Sequence, residues 1–222
     1  MTINEIIYNL RNQIKQARPD DLQISDRQLE FICNYLREKL IVQQLQKGRS
    51  ISSNIKQDLG QVPVTIVDKG EGSNLTGRYI IRTTNKIPQP IELDQKDAIT
   101  YVGGLDKQSF ISFKTKAHVR YNQYNKYASK SPLAYYSEGY IYITNCPNSL
   151  LEYINIEGVF LNPRDVSKFK NADGTTCYNP DVDQYPISGR MIDTINQLIK
   201  KQELGEFLQL QEDTSNNADT QS

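Results

Sequence analysis

Proton transfer or nucleophilic attack calls for a side chain that titrates near neutrality, and the chain has a single histidine, His118. Asp106 and Ser109 precede it at short range, so the parts of a Ser-His-Asp relay are nominally present. Such trios are common by chance, and His118 falls in a strand-like stretch crowded with Lys and Tyr. It reads as a surface or interface histidine. Residues Asn171-Ala172-Asp173-Gly174 have the flavour of a calcium loop, and Asp181 and Asp183 add oxygen ligands further on. The alternating acidic ligands and the downstream Glu of such a loop are missing, so 171–186 reads as a solvated loop. Gly70 and Gly72, in KGEGSN, lack the GK[ST] ending of a phosphate loop and mark a turn. Cys33, Cys146 and Cys177 are far apart with no CxxC pair, which indicates neither a zinc site nor a disulfide framework. A reducing compartment suits them. The expectation is a protein that is not an enzyme and carries no metal or cofactor.

The richest local chemistry is binding chemistry. In 113–130, FKTKAHVRYNQYNKYASK, five cations (Lys114, Lys116, Arg120, Lys126 and Lys130) alternate with Tyr121, Tyr124 and Tyr127, and no acid intervenes. Cations interleaved with aromatic rings suit nucleic-acid contact. They equally suit docking on another subunit, because Tyr and Arg are favoured interface residues. Lys plus Arg equals Asp plus Glu at 26 each, so no global field draws the chain to nucleic acid or membrane. That balance favours the subunit-contact reading, with a nucleic-acid-binding module centred on 113–130 as the alternative.

Those residues must be carried by folded elements. Hydrophobic residues are 37% of the 222, and the mean hydropathy is −0.61, a lean supply for a self-sufficient core. Part of the order is therefore expected from neighbouring subunits, and the 14 tyrosines with no tryptophan fit wet contact surfaces. Thr2 and Glu5 form a T-x-x-E capping box, and Ile3, Ile6, Ile7, Leu10 and Ile14 follow at helical spacing. Pro19 closes that helix. Ser25 and Gln28 open a second one, with Leu29, Ile32, Cys33, Leu36 and Leu40 on its buried face and Gly48 as its stop. The opposite face is assigned Arg27, Glu30, Arg37, Glu38 and Lys39. The N-terminal segment lacks the basic and apolar regions of a signal peptide, and no run approaches the ~18 apolar residues of a membrane span.

From residue 62 the pattern turns to strands. Val62, Val64, Ile66 and Val67 are β-branched, and further candidates are 78–82, 98–102, 109–113, 139–144 and 153–161. Residues 68–76 read as a loop, and 86–93, with Pro88 and Pro90, as an extended connector. Asn162-Pro163 opens a short helix over 163–170, and a last helix starts near Ser188 with Ile192, Ile195, Ile199 and Leu208 in phase. The expected class is α+β, with a helical hairpin (1–60), an antiparallel sandwich or barrel (61–162) and C-terminal helices packing on the hairpin (163–210). The acidic polar tail, 211–222, is expected to be disordered unless a partner orders it.

Taken in order, several motifs resemble virion structural proteins of crAss-like and related short-tailed bacteriophages. They are TINEIIYNLRNQI, QISDRQLEFICNYLREKLIVQQLQKG, IIRTTNKIPQPIEL with DAITYVGGLDK, GYIYI, IEGVFLNPRD and YPISGRMIDTINQLIKKQEL, spanning about 2–210. The resemblance implies a head-to-tail connector, also called a portal adaptor or ring protein, which sits at the portal vertex and tail of the virion after assembly in the host cytoplasm. Its implied partners are its own copies in a ring of twelve, the portal protein, and tail or further ring proteins. Double-stranded DNA would pass through the channel during packaging and ejection without sequence-specific binding. No catalytic residue is carried over and no membrane is implied. Portal or partner contact is assigned to Arg27, Arg37, Lys39, Gln211 and Glu212. Subunit or channel contact falls to Lys114, Lys116, Arg120, Tyr121, Tyr124, Lys126 and Tyr127.

Overall fold

The structure is a computed structural model and describes residues 1–17, 24–50, 52–67, 80–93, 96–122, 124–126, 130–146 and 151–199. The expected loop at 68–76 and the tail 211–222 lie outside these residues. The chain is α+β and divides into two compact units, Met1–Ser52 with Asp181–Ser222, and Ser53–Pro180.

In the first unit α1 (Ile3–Ala17) begins at the expected capping box. Glu5 N–H donates to Thr2 Oγ1 at 3.2 Å, and Thr2 N–H donates to Glu5 Oε2 at 2.9 Å. Its five stripe residues, from Ile3 to Ile14, are all buried. A second reciprocal box opens α2 (Asp26–Gln46), with Gln28 N–H on Ser25 Oγ and Ser25 N–H on Gln28 Oε1. The helix ends in a Schellman turn, in which Gly48 N–H donates to the Leu45 carbonyl and Arg49 N–H to that of Gln44. Gly48 holds φ +69 there, which a residue with a Cβ rarely adopts. An ion pair joins Arg11 of α1 to Asp26 at the start of α2.

A third helix, α4, occupies 189–199 and buries Met191, Ile195 and Ile199, with Ile192 half-buried. Before it, residues 185–187 are clasped by polar bonds. Tyr185 N–H donates to the Met1 carbonyl, Tyr185 Oη to Asn34 Oδ1 at 2.6 Å, and Arg37 Nε to the Pro186 carbonyl at 2.8 Å.

The described residues of the second unit form a curled, mostly antiparallel sheet of eight strands. These are β1 (Gln57–Asp58), β2 (Val62–Ile66), β3 (Ile80–Thr83), β6 (Ile99–Gly103), β7 (Ser112–Phe113), β8 (Leu133–Ser137), β9 (Tyr140–Thr144) and β10 (Tyr153–Gly158). A separate two-residue pair, β4 (Glu92–Leu93) and β5 (Lys96–Asp97), adds a short hairpin. The strand order is β1-β10-β2-β3-β9-β8-β7, with β6 on the other side of β10. Ile111 N–H donates to the Val102 carbonyl at 2.8 Å, so the chain entering β7 also bonds to β6 and the sheet curls into a half-barrel. Its interior holds Leu59, Val62, Ile81, Val102, Ile141, Ile143, Ile154, Ile156 and Phe160, all nearly or wholly buried.

Between β1 and β2 the strand bends at Gly60, where φ is +62 and an added Cβ would meet Lys170 O at 2.7 Å. Asp58 secures the bend. Its Oδ1 accepts from Gly60 N–H and from Asn155 Nδ2, and its Oδ2 meets Lys107 Nζ at 2.6 Å.

Several sequence expectations are corrected. Residues 53–60 and 163–180 belong to the β unit rather than to the helices, because Ile55 and Leu59 are buried there and Val166, Phe169 and Tyr178 complete its core. The helix expected over 163–170 is a 3-10 helix, Pro163–Lys168, capped by Asn162 as foreseen. The connector 86–93 is partly sheet-like, since Ile91 N–H donates to Val159 O and Leu161 N–H to Gln89 O. The stretch around His118 is not a strand but a helix, α3 (Lys116–Asn122), started by Thr115, whose hydroxyl accepts from His118 N–H. Strand β8 had no sequence forecast at all.

Candidate assembly interface

Two surfaces expose aromatic side chains beside cations. The first is the outer stripe of α2. Arg27, Phe31, Tyr35 and Lys39 follow one another at four-residue intervals, so they share one helix face, and all four are exposed. Phe31 is 72% exposed and Tyr35 55%. Two large aromatics beside two cations on one face give α2 an exposed stripe suited to contact.

The second surface belongs to the β unit. Side chains alternate across a strand, so Ile81, Ile143 and Ala134 face the core while Arg82, Tyr142 and Tyr135 stand together on the outer face. Tyr135 and Tyr142 stack at 5.2 Å between centroids, and Tyr140 meets Tyr142 edge-on at 6.5 Å. The Arg82 guanidinium lies 4.9 Å from the Tyr140 centroid, with Lys86 Nζ at 5.9 Å. Residues Glu138 and Gly139, both at positive φ, make the two-residue turn that joins β8 to β9.

Helix α3 brings more positive charge to the edge of this face. Lys114 N–H donates to the Ala134 carbonyl at 2.8 Å, and Lys116 Nζ reaches Ser137 Oγ at 3.3 Å. Burial raises the Tyr135 phenol pKa, followed by the Tyr142 interaction, while Arg120 nearby pulls it down. Remarkably little of α3 itself is covered: it buries no side chain, and beyond it Tyr124 is 80% exposed.

Of the residues foreseen for subunit or channel contact, Lys114, Lys116, Arg120, Tyr121, Tyr124 and Lys126 are exposed, and Tyr127 lies outside the described residues. Arg27 and Lys39 hold the exposed positions expected of them. Arg37 does not. It is fully buried, with its guanidinium 5.8 Å from the Tyr185 centroid and its Nε on Pro186, so it clasps its own chain rather than facing outward. Gln211 and Glu212 lie outside the described residues. Sequence reasoning missed Phe31 and Tyr35, although both fall off the buried stripe of α2. It also missed the outer face of β3, β9 and β8, for which the alternation YIYI was the available signal.

Three of the acids weighed for catalysis or ion binding make hydrogen bonds within the chain. Asp106 Oδ1 accepts from the backbone N–H of Gln108 and Ser109, closing a turn. Asp173 accepts from Thr175 N–H and Oγ1, and those bonds hold its carboxyl below the usual range. Asp181 accepts from Asn4 Nδ2 in the helical unit. Burial pushes the Cys33 thiol up to about 12 and Cys177 to about 11, which keeps both protonated and poorly nucleophilic at neutral pH. Among the described residues no cluster of three or more His, Cys, Asp and Glu is placed to hold a metal, and no helix is long and apolar enough to cross a membrane.

The half-barrel and the helical unit each expose aromatic rings flanked by cations. The chain belongs to the phage tail ring protein 2 family, whose profile matches residues 5–222. It is similar to Ring protein 2 of Bacteroides phage crAss001, with 25% identity over 217 residues covering 91% of this chain and 90% of the relative. It is thus a structural ring protein of a phage particle.

Proposed function

We propose that this protein is a non-enzymatic connector that forms a ring of twelve copies under the portal, joins head to tail and extends the DNA channel. The observation that carries the reading is the exposed stripe Arg27-Phe31-Tyr35-Lys39 on a helix that buries Leu29, Cys33, Leu36 and Ile41 elsewhere. Burying such rings against a partner stabilises a contact by roughly 25 cal/mol per Å² of apolar surface. A head-to-tail contact between copies closes into a ring when the rotation per subunit is right. Arg27 and Lys39 at the ends of the stripe supply charge for the portal, and Gln211 and Glu212 in the C-terminal segment add a second grip. Assembly belongs to the host cytoplasm, and packaging and ejection follow from a channel that DNA traverses without being held.

The reading is tested by mixing purified protein with the portal protein and measuring mass. The chain alone is expected to be monomeric or weakly associated, and to enter a ring with the portal. Two components that never co-migrate would refute it. The exposed Lys114, Lys116, Arg120, Tyr121 and Tyr124 favour a second reading, a nucleic-acid-binding module. That reading requires DNA retention with a steep salt slope, abolished by replacing Lys114, Lys116 and Arg120.

A further inference from the structure

We infer that the outer stripe of α2 docks on an unlike protein surface, an apolar slot bounded by a carboxylate at each end, and that its charge pattern excludes the same stripe of a second copy. The inference rests on the reading of that stripe as a contact surface and names the chemistry of what covers it.

The spacing sets the geometry. Arg27, Phe31, Tyr35 and Lys39 advance by four residues, so the two rings sit about 6 Å apart along the helix and the two cations about 18 Å apart, one beyond each ring. Two copies of such a stripe can cover each other's rings only in a two-fold contact, where residue i meets j and j meets i. The antiparallel register that lays Phe31 on Tyr35 at both positions also lays Arg27 on Lys39 at both ends. A slide of one turn either way parts the cations, but it leaves one ring pair in place of two and turns the other ring onto a cation. Parallel pairing sets Arg27 on Arg27 and Lys39 on Lys39. Like charges brought together across a contact suppress that pairing.

The same pattern is complementary to a surface with the opposite ends. Carboxylates about 18 Å apart meet Arg27 and Lys39, and an apolar slot between them covers the exposed Phe31 and Tyr35. Glu30 and Glu38, both half-buried, lie beside the stripe. Their charge opposes a phosphate chain, which favours a protein over nucleic acid. A contact of this kind has unlike halves, which a head-to-tail closure requires.

The test uses the full chain as its own probe. The variant R27E/K39E keeps both rings and carries carboxylates at the two ends, so it presents the chemistry inferred for the partner. In sedimentation equilibrium at low salt, wild type and R27E/K39E are each expected to be monomeric or weakly associated when apart. Mixed, they are expected to form a one-to-one complex about tenfold tighter than wild type with itself. Adding F31S/Y35S to either component, or raising the salt, is expected to remove that gain. R27Q/K39Q deletes the like charges without reversing them and is expected to self-associate about threefold more tightly than wild type, an arm that stands even if the reversed variant misfolds. A mixture no tighter than wild type alone would overturn the proposal. So would a wild-type dimer that F31S/Y35S abolishes and R27Q/K39Q loosens, because the stripe would then be its own partner. A single-stranded oligonucleotide that binds wild type but not F31S/Y35S would assign the stripe to nucleic acid and overturn the proposal as well. No portal protein is present in these mixtures, so failure here leaves the ring reading to be judged by co-migration.

Discussion

The helical unit and the β unit are held together in different ways. Apolar stripes fill the helical unit, but its C-terminal segment is clasped by polar bonds, chief among them that of the fully buried Arg37 to Pro186. Among the described residues of the β unit the buried polar side chains are Gln57, Thr83 and Asn155, none of them charged, and the core around Phe160 is apolar. Their surfaces differ as well. Phe31 and Tyr35 are exposed neighbours on α2, whereas the tyrosines of β8 and β9 stack and meet edge-on within the sheet. Rings that already meet suit a specific ligand, while exposed rings along a helix suit burial under a large partner surface.

The sharpest way to separate the two modes is to remove volume from the β core. Phe160→Ala is expected to cost about 3–5 kcal/mol, read as a shift in the urea midpoint of the β unit. Arg37→Leu retains bulk but deletes the clasp, and a loss of about 2 kcal/mol is expected in the helical unit, the scale of a charge-assisted hydrogen bond. If the change were neutral, the two units would be held in the same way and the contrast would vanish. A double-mutant cycle on Tyr135→Ala and Tyr142→Ala should give a coupling of about 0.5–1.5 kcal/mol. Zero coupling would mean that the sheet tyrosines are as independent as those of α2.

Phe31→Ser with Tyr35→Ser should move stability by no more than about 0.5 kcal/mol while removing co-migration with the portal. A melting shift without loss of assembly would make the stripe structural. The remaining effect is nil at neutral pH. Because burial raises the Cys33 thiol from 9.0 to about 12, the folded state retains that proton more tightly than the unfolded chain. Its stabilising contribution is complete below pH 9 and is lost as the pH rises toward 12. Cys33→Ala should flatten that alkaline decline in a pH series of denaturation curves, and an unchanged slope would discard the assignment.

The parts that were legible in the sequence are those fixed by short-range chemistry. Both capping boxes, the five-residue stripe of α1 and the Gly48 stop depend on residues a few positions apart, and each formed as read. Strand β8 was not legible, because LAYYS does not alternate and its turn, Glu138-Gly139, is a weak hairpin signal. Helix α3 was mistaken for strand because Val119 and Tyr121 carry β propensity, and the Thr115 cap prevailed over it.

The sequence by itself determined the α+β class, the starts of the first two helices and the Gly48 stop of the second, since periodicity and caps are local matters, while Pro19 lies outside the described residues. Only the tertiary structure decided that Arg37 turns inward, for its acceptor lies 149 residues away along the chain. Register likewise gathered Arg82, Tyr135 and Tyr142 from three strands onto one face. Hydrogen bonding between strands sets which residues become neighbours across a sheet, and that pairing has no counterpart in linear order.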